Sequence, residues 1–435
     1  MNRGTRAASA RPVRTGVVLL AAAMLLAGCT SAGQAGPGSR AALDGTGPFT
    51  FVTGRDTTGY LRGVLSAWNA AHPDQPAQLI ELPEAADDQR AQMVTNLQAR
   101  SDRYDVLNLD VPWTAEFADA GWIVPLDRRE FPLDRFLRPA VATAEFEGRL
   151  YAVPYTSNGG LLYYRKDVLD REGLRPPRTW AELERLASTV APRYHMGGYA
   201  GQFLAYEGLT VNFAEAVQSA GGEILADDGR RVTVDSPQAH EGLAFLVNGI
   251  RDGWIPRAAL DYKEEESRRA FQEGRLLFMR NWPAVWGVAN RRGPDSKVAG
   301  RFSVVRLPGL HGPGSSSLGG ANVAISAYSR HKRSAVEFIK YLTSLATQRQ
   351  VLVQGSLPPV WEQLYDDPAL IRRFPYLPTL KESILSAKPR PKSPNYNQVS
   401  LAISKSVHDA LSLRLSPDAA LKGLAQDLTG IVQNQ

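Results

Sequence analysis

Chemistry in this chain has to be sought among carboxylates, amides and aromatic rings. The six histidines are scattered and form no His-x-x-x-His pair, and the one cysteine is Cys29, so no zinc ligand set stands in the sequence. Asp227-Asp228-Gly229 lacks the spaced carboxylates of a calcium loop. Gly312-Pro313-Gly314-Ser315-Ser316-Ser317 lacks the third glycine of a dinucleotide fingerprint and the Gly-Lys-Ser/Thr ending of a phosphate loop. Ser315 and Ser316 stand in no Gly-x-Ser-x-Gly elbow. No nucleophile is assembled with a base, and no metal or cofactor is expected. What remains is Asp56, Glu81, Asp110, Asn158, Tyr163, Tyr164, Glu264, Glu265, Trp282, Trp286, Arg390 and Tyr396. These types suit the binding of a sugar. Carboxylates, an amide and a guanidinium offer paired hydrogen bonds to vicinal hydroxyls, and a tryptophan face covers the C–H face of a pyranose. The same set serves a glycoside hydrolase, with two carboxylates across one bond, and a receptor for peptides or polyamines is a third reading. Tyr163 and Tyr164, inside a strand-like run, read as core or sheet surface. Trp282 differs: it ends a strand, between Asn281 and Pro283, where the chain must leave the sheet.

The elements that must carry these residues alternate. Phe49–Thr53 is β-prone, Tyr60–Ala71 spaces Leu61, Val64, Leu65 and Trp68 as a helix does, and Ala77–Leu82 is β-like again. Asp87–Ala99 is helical and Asp105–Leu109 a third strand. Strand, helix, strand, helix, strand predicts a parallel α/β sheet, with ligands beyond the carboxyl ends of the strands. Asp56, Glu81 and Asp110 fall there. Farther on, Arg149–Tyr155 and Gly160–Arg165 read as strands separated by a turn at Thr156–Gly159. Thr179 with Glu182 forms a capping box, and Ser236-Pro237 opens a helix to about Arg251. Arg275–Asn281, Phe302–Leu307 and Asn322–Ser326 read as strands, and Gly309–Gly320 as a loop. Ser334–Val353, Val399–Leu411 and a segment from Ser416-Pro417 to the terminus are helical.

The N-terminus has the layout of an export signal: Arg3, Arg6, Arg11 and Arg14, then an apolar run from Gly16, then Leu26-Ala27-Gly28-Cys29. The last four residues resemble the lipobox of bacterial lipoproteins, cut before a cysteine that takes the lipid. Residues 1–28 are then a leader and 29–47, rich in Ser, Gly, Ala and Pro, a flexible tether. Losing four arginines takes the formal charge from +6 to +2. No basic block remains, so nucleic acid is not an expected partner. Gly16–Ala27 is too short to span a bilayer; the chain is expected outside the cytoplasm, lipid-anchored to the outer face of the cell membrane.

Several motifs together resemble family 1 extracellular solute-binding proteins of ABC importers, and among them the trehalose/maltose-binding lipoproteins of actinobacteria. They are Tyr104–Asp110, Trp113–Phe117, Gly121–Leu126, Gly148–Tyr155 with Asn158 and Leu161–Lys166, Ala270–Pro283, Leu318–Asn322 and Arg390–Tyr396. The resemblance implies two α/β lobes, each a mostly parallel sheet flanked by helices, joined by crossing strands and closing on a ligand between them. It places residues 48–155 and 318–360 in the first lobe and 156–317 and 361–435 in the second. It implies ligand contacts from Asp56, Asp110, Asn158, Glu264, Trp282, Gly320 and Arg390, with the register among Glu264, Glu265 and Glu266 open. It implies a monomer that takes a di- or oligosaccharide, an α-glucoside such as trehalose or maltose, and hands it to permease subunits without catalysis. Cys29→Ser is expected to free the chain from membranes; fractionation of cells producing each form checks this, and a variant that stays with the membrane contradicts the anchor.

Overall fold

Alternating spacing in the first hundred residues becomes alternating structure. In the computed structural model, which describes residues 43–226, 229–391 and 393–433, strands Phe49–Gly54, Ala77–Leu82 and Val106–Asp110 enclose helices Leu61–Ala71 and Ala86–Gln98. Leu61, Val64, Leu65 and Trp68 bury one helix face, as their spacing requires. The three strands run parallel, with Phe49–Gly54 in the middle. The leader, Cys29 and residues 30–42 of the expected tether lie outside the described residues. Residues 43–47 are tied down: Gly45 O accepts from Arg333 N–H at 3.0 Å, and Gly47 N–H donates to Ser334 Oγ at 3.0 Å.

Two further strands complete the first sheet, in the order Ala77–Leu82, Phe49–Gly54, Val106–Asp110, Leu318–Ile325, Ala152–Gly159. Both additions are antiparallel to their neighbours. The second sheet runs Ser303–Arg306, Leu161–Tyr164, Leu276–Asn281, Gly197–Ala200, and only its last pair is parallel. The expectation of mostly parallel sheets is thus corrected to mixed ones. The cause is connectivity. Ala152–Gly159 carries the chain out of the first sheet and Leu318–Ile325 brings it back, so these two pair with each other head to tail. A parallel neighbour would need a crossover helix between them.

That pairing corrects two local expectations as well. Thr156–Gly159 is no turn; these residues continue the strand and pair with Ala321, Gly320, Gly319 and Leu318. Leu318–Gly320, expected in a loop, belongs to the partner strand for the same reason. A partner strand that satisfies backbone N–H and C=O groups overrides the turn propensity of Ser, Asn and Gly. Gly320 sits at φ +121°, where a Cβ would lie 2.2 Å from Thr156 O, so the close approach of the crossing strands excludes a side chain there. The helix expected over Ser334–Val353 is two, Lys332–Leu342 and Leu345–Gly355. Ser344 restarts it by accepting from Thr347 N–H at 3.3 Å. The capping box at Thr179 and Glu182 and the Ser236-Pro237 helix start form as read.

Two apolar cores result. One gathers Phe51, Val52, Trp68, Leu107, Tyr155, Val323 and Phe338; the other gathers Tyr163, Phe213, Leu243, Phe271, Phe278, Ile403 and Leu424. Each is the core of one lobe, and the crossing strands Ala152–Gly159 and Leu318–Ile325 lead from one to the other. No helix among the described residues is long and apolar enough to cross a membrane.

Candidate functional site

Trp282 is pinned on every side that packs. The strand Leu276–Asn281 ends immediately before it, buried along its whole length. Its N–H donates to Asn281 Oδ1 at 2.7 Å, and its carbonyl accepts from the Tyr163 hydroxyl at 2.8 Å. The guanidinium carbon of Arg280 lies 3.9 Å from its ring centroid, so one face of the indole is covered by a cation. The ring edge meets the crossing strand: a Cβ on Gly319 would lie 2.8 Å from Trp282 Cη2 and Cζ3, and 3.3 Å from Asn158 Cβ. Trp282 and Asn158 are therefore neighbours across Gly319. Asn158 Oδ1 is buried with no hydrogen-bond partner, an acceptor in want of a donor. Tyr163, read as core or sheet surface, is core and serves the site through its hydroxyl.

The three consecutive glutamates are resolved by what each one touches. Glu266 caps its own helix, Glu264–Gln272, by accepting from Lys263 N–H at 3.1 Å. Glu265 pairs with Arg268 on the same helix. Glu264 alone turns to Trp282: its carboxylate accepts from the Tyr206 hydroxyl at 2.5 Å and lies beside the Trp282 side chain. Burial holds the Glu264 carboxyl above the usual range, against the Tyr206 hydrogen bond and the charge of Arg280.

Asp110 and Arg390 meet each other. Asp110 ends the strand Val106–Asp110 of the first lobe, and Arg390 lies before the helix Tyr396–Leu411 of the second. Arg390 Nη1 donates to Asp110 Oδ2 at 2.8 Å and Nη2 donates to Oδ1, a two-pronged pair across the lobe boundary. Nη1 also donates to Glu207 Oε1 at 2.6 Å. The Arg390 side chain is 3% exposed and that of Asp110 20%, so Asp110 alone keeps surface for another donor. Tyr396 donates its hydroxyl to Glu207 Oε1 at 2.5 Å. A cavity of about 410 Å³ opens beside this pair, lined by Val111, Pro112, Phe146, Pro391 and Pro394 among others. Its wall is largely apolar, and the groups suited to hydroxyls lie at Trp282.

Asp56 has another duty. Its carboxylate accepts from Thr58 N–H at 3.0 Å, Gly59 N–H at 2.8 Å and Leu61 N–H at 2.8 Å, closing the start of helix Leu61–Ala71. Its own N–H donates to Glu81 Oε1 at 2.9 Å. Trp286 packs into the second core, edge-on to Phe302 and tilted against Tyr376. Gly320 is needed by the strand beside it, whereas Gly319 is the glycine under Trp282.

Sequence reasoning missed the residues at the centre. Tyr206 binds Glu264, and Glu207, the next residue, binds Arg390. Both stand at the start of helix Glu207–Ser219, which buries nearly all round and so shows no amphipathic stripe. The first lobe reaches the same point, for Asp87 lies beside the Glu207 backbone. Arg280 and Glu215 were missed too, hidden in apolar runs.

Among the described residues no cluster of His, Cys, Asp or Glu could hold a metal ion. The polar and aromatic groups gathered from both lobes suit the binding of a ligand. Residues 54–349 match the model of the bacterial extracellular solute-binding protein family. A probable ABC transporter-binding protein of Deinococcus radiodurans is 32% identical over 84% of this chain and 88% of its own length. A maltotriose-binding protein of Pyrococcus abyssi is 28% identical over 66% of this chain and 61% of its own length. The maltose-bound MalE3 of T. maritima superposes with TM-score 0.84 at 34% identity, covering 88% of this chain and 99% of that one. The family is one of binding proteins, so the glycoside-hydrolase reading falls. The chain is a member of the bacterial extracellular solute-binding protein family, a two-lobed binding protein rather than an enzyme.

Proposed function

We propose that this chain is the substrate-binding component of an ABC sugar importer. It binds a neutral di- or oligosaccharide, an α-glucoside such as trehalose or maltose, and is held near its permease by a lipid on Cys29. The observation that carries the reading is Trp282. One face of its ring lies on Arg280, its edge on Gly319 and its side chain on Glu264, which leaves the opposite face as a platform with carboxylate and amide beside it. A pyranose fits such a platform: its C–H face covers the ring and its hydroxyls reach Glu264, Asn158 Oδ1 and Asp110. Arg390 orders Asp110, and Asp56 shapes the first-lobe wall. A cation on the platform would face Arg280 through the ring, which disfavours the polyamine reading. Maltose and maltotriose, named for similar proteins, point the same way.

Trp282→Ala tests the platform. Loss of a central, well-packed aromatic contact typically costs at least about 2 kcal/mol of binding, or roughly 30-fold in affinity. Isothermal calorimetry with maltotriose, maltose and trehalose should show that loss in a variant whose circular dichroism is unchanged. Equal affinity would remove Trp282 from the site.

Closure of the lobes brings like charges together. Glu84, just past the strand Ala77–Leu82, is held above the usual carboxylate range by burial first and by Glu265 of the second lobe next. A raised carboxyl binds its proton more tightly in the folded state. Its favourable contribution is complete below the ordinary value near pH 4 and is lost as pH rises through the raised one. Glu84→Gln removes that penalty at high pH only. The variant should unfold at a higher temperature than the parent at pH 8, and the gap should shrink as the pH falls towards the ordinary value of 4.5 in scanning calorimetry. A gap independent of pH would refute the cause.

A further inference from the structure

Two local rules are broken side by side at the start of helix Glu207–Ser219. Tyr206 is the capping residue of that helix, with an extended backbone. Such a position favours Ser, Thr, Asp or Asn, whose short side chains close the first turn. The Tyr206 side chain caps nothing; its hydroxyl crosses to another helix and donates to Glu264 Oε2 at 2.5 Å. Two residues on stands Gly208, inside the helix, where alanine is the better helix former. A Cβ there would lie 2.1 Å from the Tyr206 hydroxyl oxygen and 2.3 Å from Cζ. Tyr206 is 5% exposed, so a side chain at position 208 would push the hydroxyl off its line to Glu264. Both departures serve one contact, and departures of this kind gather at functional positions.

Arg280 is near enough to act on the Glu264 charge, but its guanidinium is held by Glu215 and Gln202. The partner of the Glu264 carboxylate is a neutral hydroxyl instead. Burial and the charge of Glu264 hold the Tyr206 phenol well above its ordinary value, so the proton stays on Tyr206 and the bond has one direction. A carboxylate has about four acceptor sites. Tyr206 takes one on Oε2, and Glu264 keeps some surface, so further donors can reach it beside Trp282. The other charges around the contact are engaged or distant from the carboxylate. Lys263 holds its ammonium 5.4 Å from the centroid of the Tyr206 ring, and Asp87 of helix Ala86–Gln98 acts on the phenol. Glu265 pairs with Arg268, and Glu266 accepts from Lys263 N–H.

We propose that Tyr206 is a positioning residue for ligand binding: it fixes Glu264 as an acceptor for a ligand hydroxyl beside Trp282, and Gly208 leaves the space that lets it do so. This deepens the reading in which Glu264 takes a sugar hydroxyl, and rests on it. Burial raises the Glu264 carboxyl above its ordinary 4.5, and the Tyr206 hydrogen bond opposes that rise. Without the bond Glu264 takes up its proton at higher pH, and an acceptor becomes a donor.

Carbon-13 NMR of the ligand-free chain in its Cys29→Ser form, labelled at the glutamate carboxyl carbons, follows the titration without any sugar. The Glu264 resonance is the one missing from Glu264→Gln. Its midpoint is expected to move to higher pH in Tyr206→Phe, which keeps the buried ring, and in Gly208→Ala. Calorimetry with maltotriose is expected to follow: both variants lose about tenfold in affinity near the parent's midpoint and less at pH 8. The loss in Glu264→Gln is expected to be much the same at every pH. A change that merely loosened packing would lower affinity alike at every pH and leave the midpoint in place. Near-ultraviolet circular dichroism confirms that each variant keeps its packed cores; should Gly208→Ala fail to fold, Tyr206→Phe decides. A midpoint unmoved in the folded variants overturns the role of Tyr206, whatever the ligand. Unchanged maltotriose affinity in Glu264→Gln overturns the sugar reading of Glu264, and the proposal with it.

Discussion

The buried pair of Arg280 and Glu215 is the interaction on which the site rests. Their side chains are 1% and 5% exposed. Arg280 Nε donates to Glu215 Oε2 at 2.7 Å and Nη2 donates to Oε1 at 2.6 Å, while Nη1 reaches Gln202 Oε1 at 3.1 Å. Glu215 Oε1 also accepts from Ser317 N–H at 3.1 Å. One pair therefore joins the strand Leu276–Asn281, the helix Glu207–Ser219 and the segment leading into the crossing strand Leu318–Ile325. Breaking a buried ion pair by removing one partner costs about 3–5 kcal/mol, so these three elements have little freedom to shift against each other. The outer face of the same guanidinium is the backing of Trp282. The strand end, the segment before the crossing strand and the aromatic platform are in register because the two members of one ion pair touch all of them.

From that anchor the candidate site follows in steps. Trp282 projects from a rigid strand end, with Asn158 beside it on the crossing strand. The start of helix Glu207–Ser219, fixed through Glu215 at its other end, supplies Tyr206 to Glu264 and Glu207 to Arg390. Carboxylates on both sides are tied by hydroxyls or a guanidinium, which orders them for hydrogen bonding at fixed places. Such an arrangement suits a polyhydroxylated molecule, in shape and in hydrogen-bond pattern, as the proposed function requires.

The sequence was legible where local rules decide. Helical spacing at Leu61–Trp68, the capping box at Thr179 and Glu182, and strand, helix, strand to Asp110 all read correctly, because each is set by residues within a turn or two. It was illegible where distant strands decide. Thr156–Gly159 carries turn residues yet is strand, since Leu318–Ala321 supplies its hydrogen bonds from more than 150 residues away. The helix Glu207–Ser219 offers no polar face to find. Asp110 and Arg390 were both legible as polar residues near a site, but not as partners of each other. The Glu264 register was undecidable by sequence, since three identical side chains differ only in which way the first turn of a helix points them.

A crystal structure of the chain with bound maltotriose tests the central claim most directly. The account predicts a pyranose ring against the face of Trp282 opposite Arg280, with hydroxyls on Glu264, Asn158 and Asp110. A ligand lodged instead in the apolar cavity between Val111 and Pro394, with the Trp282 platform bare, would contradict it.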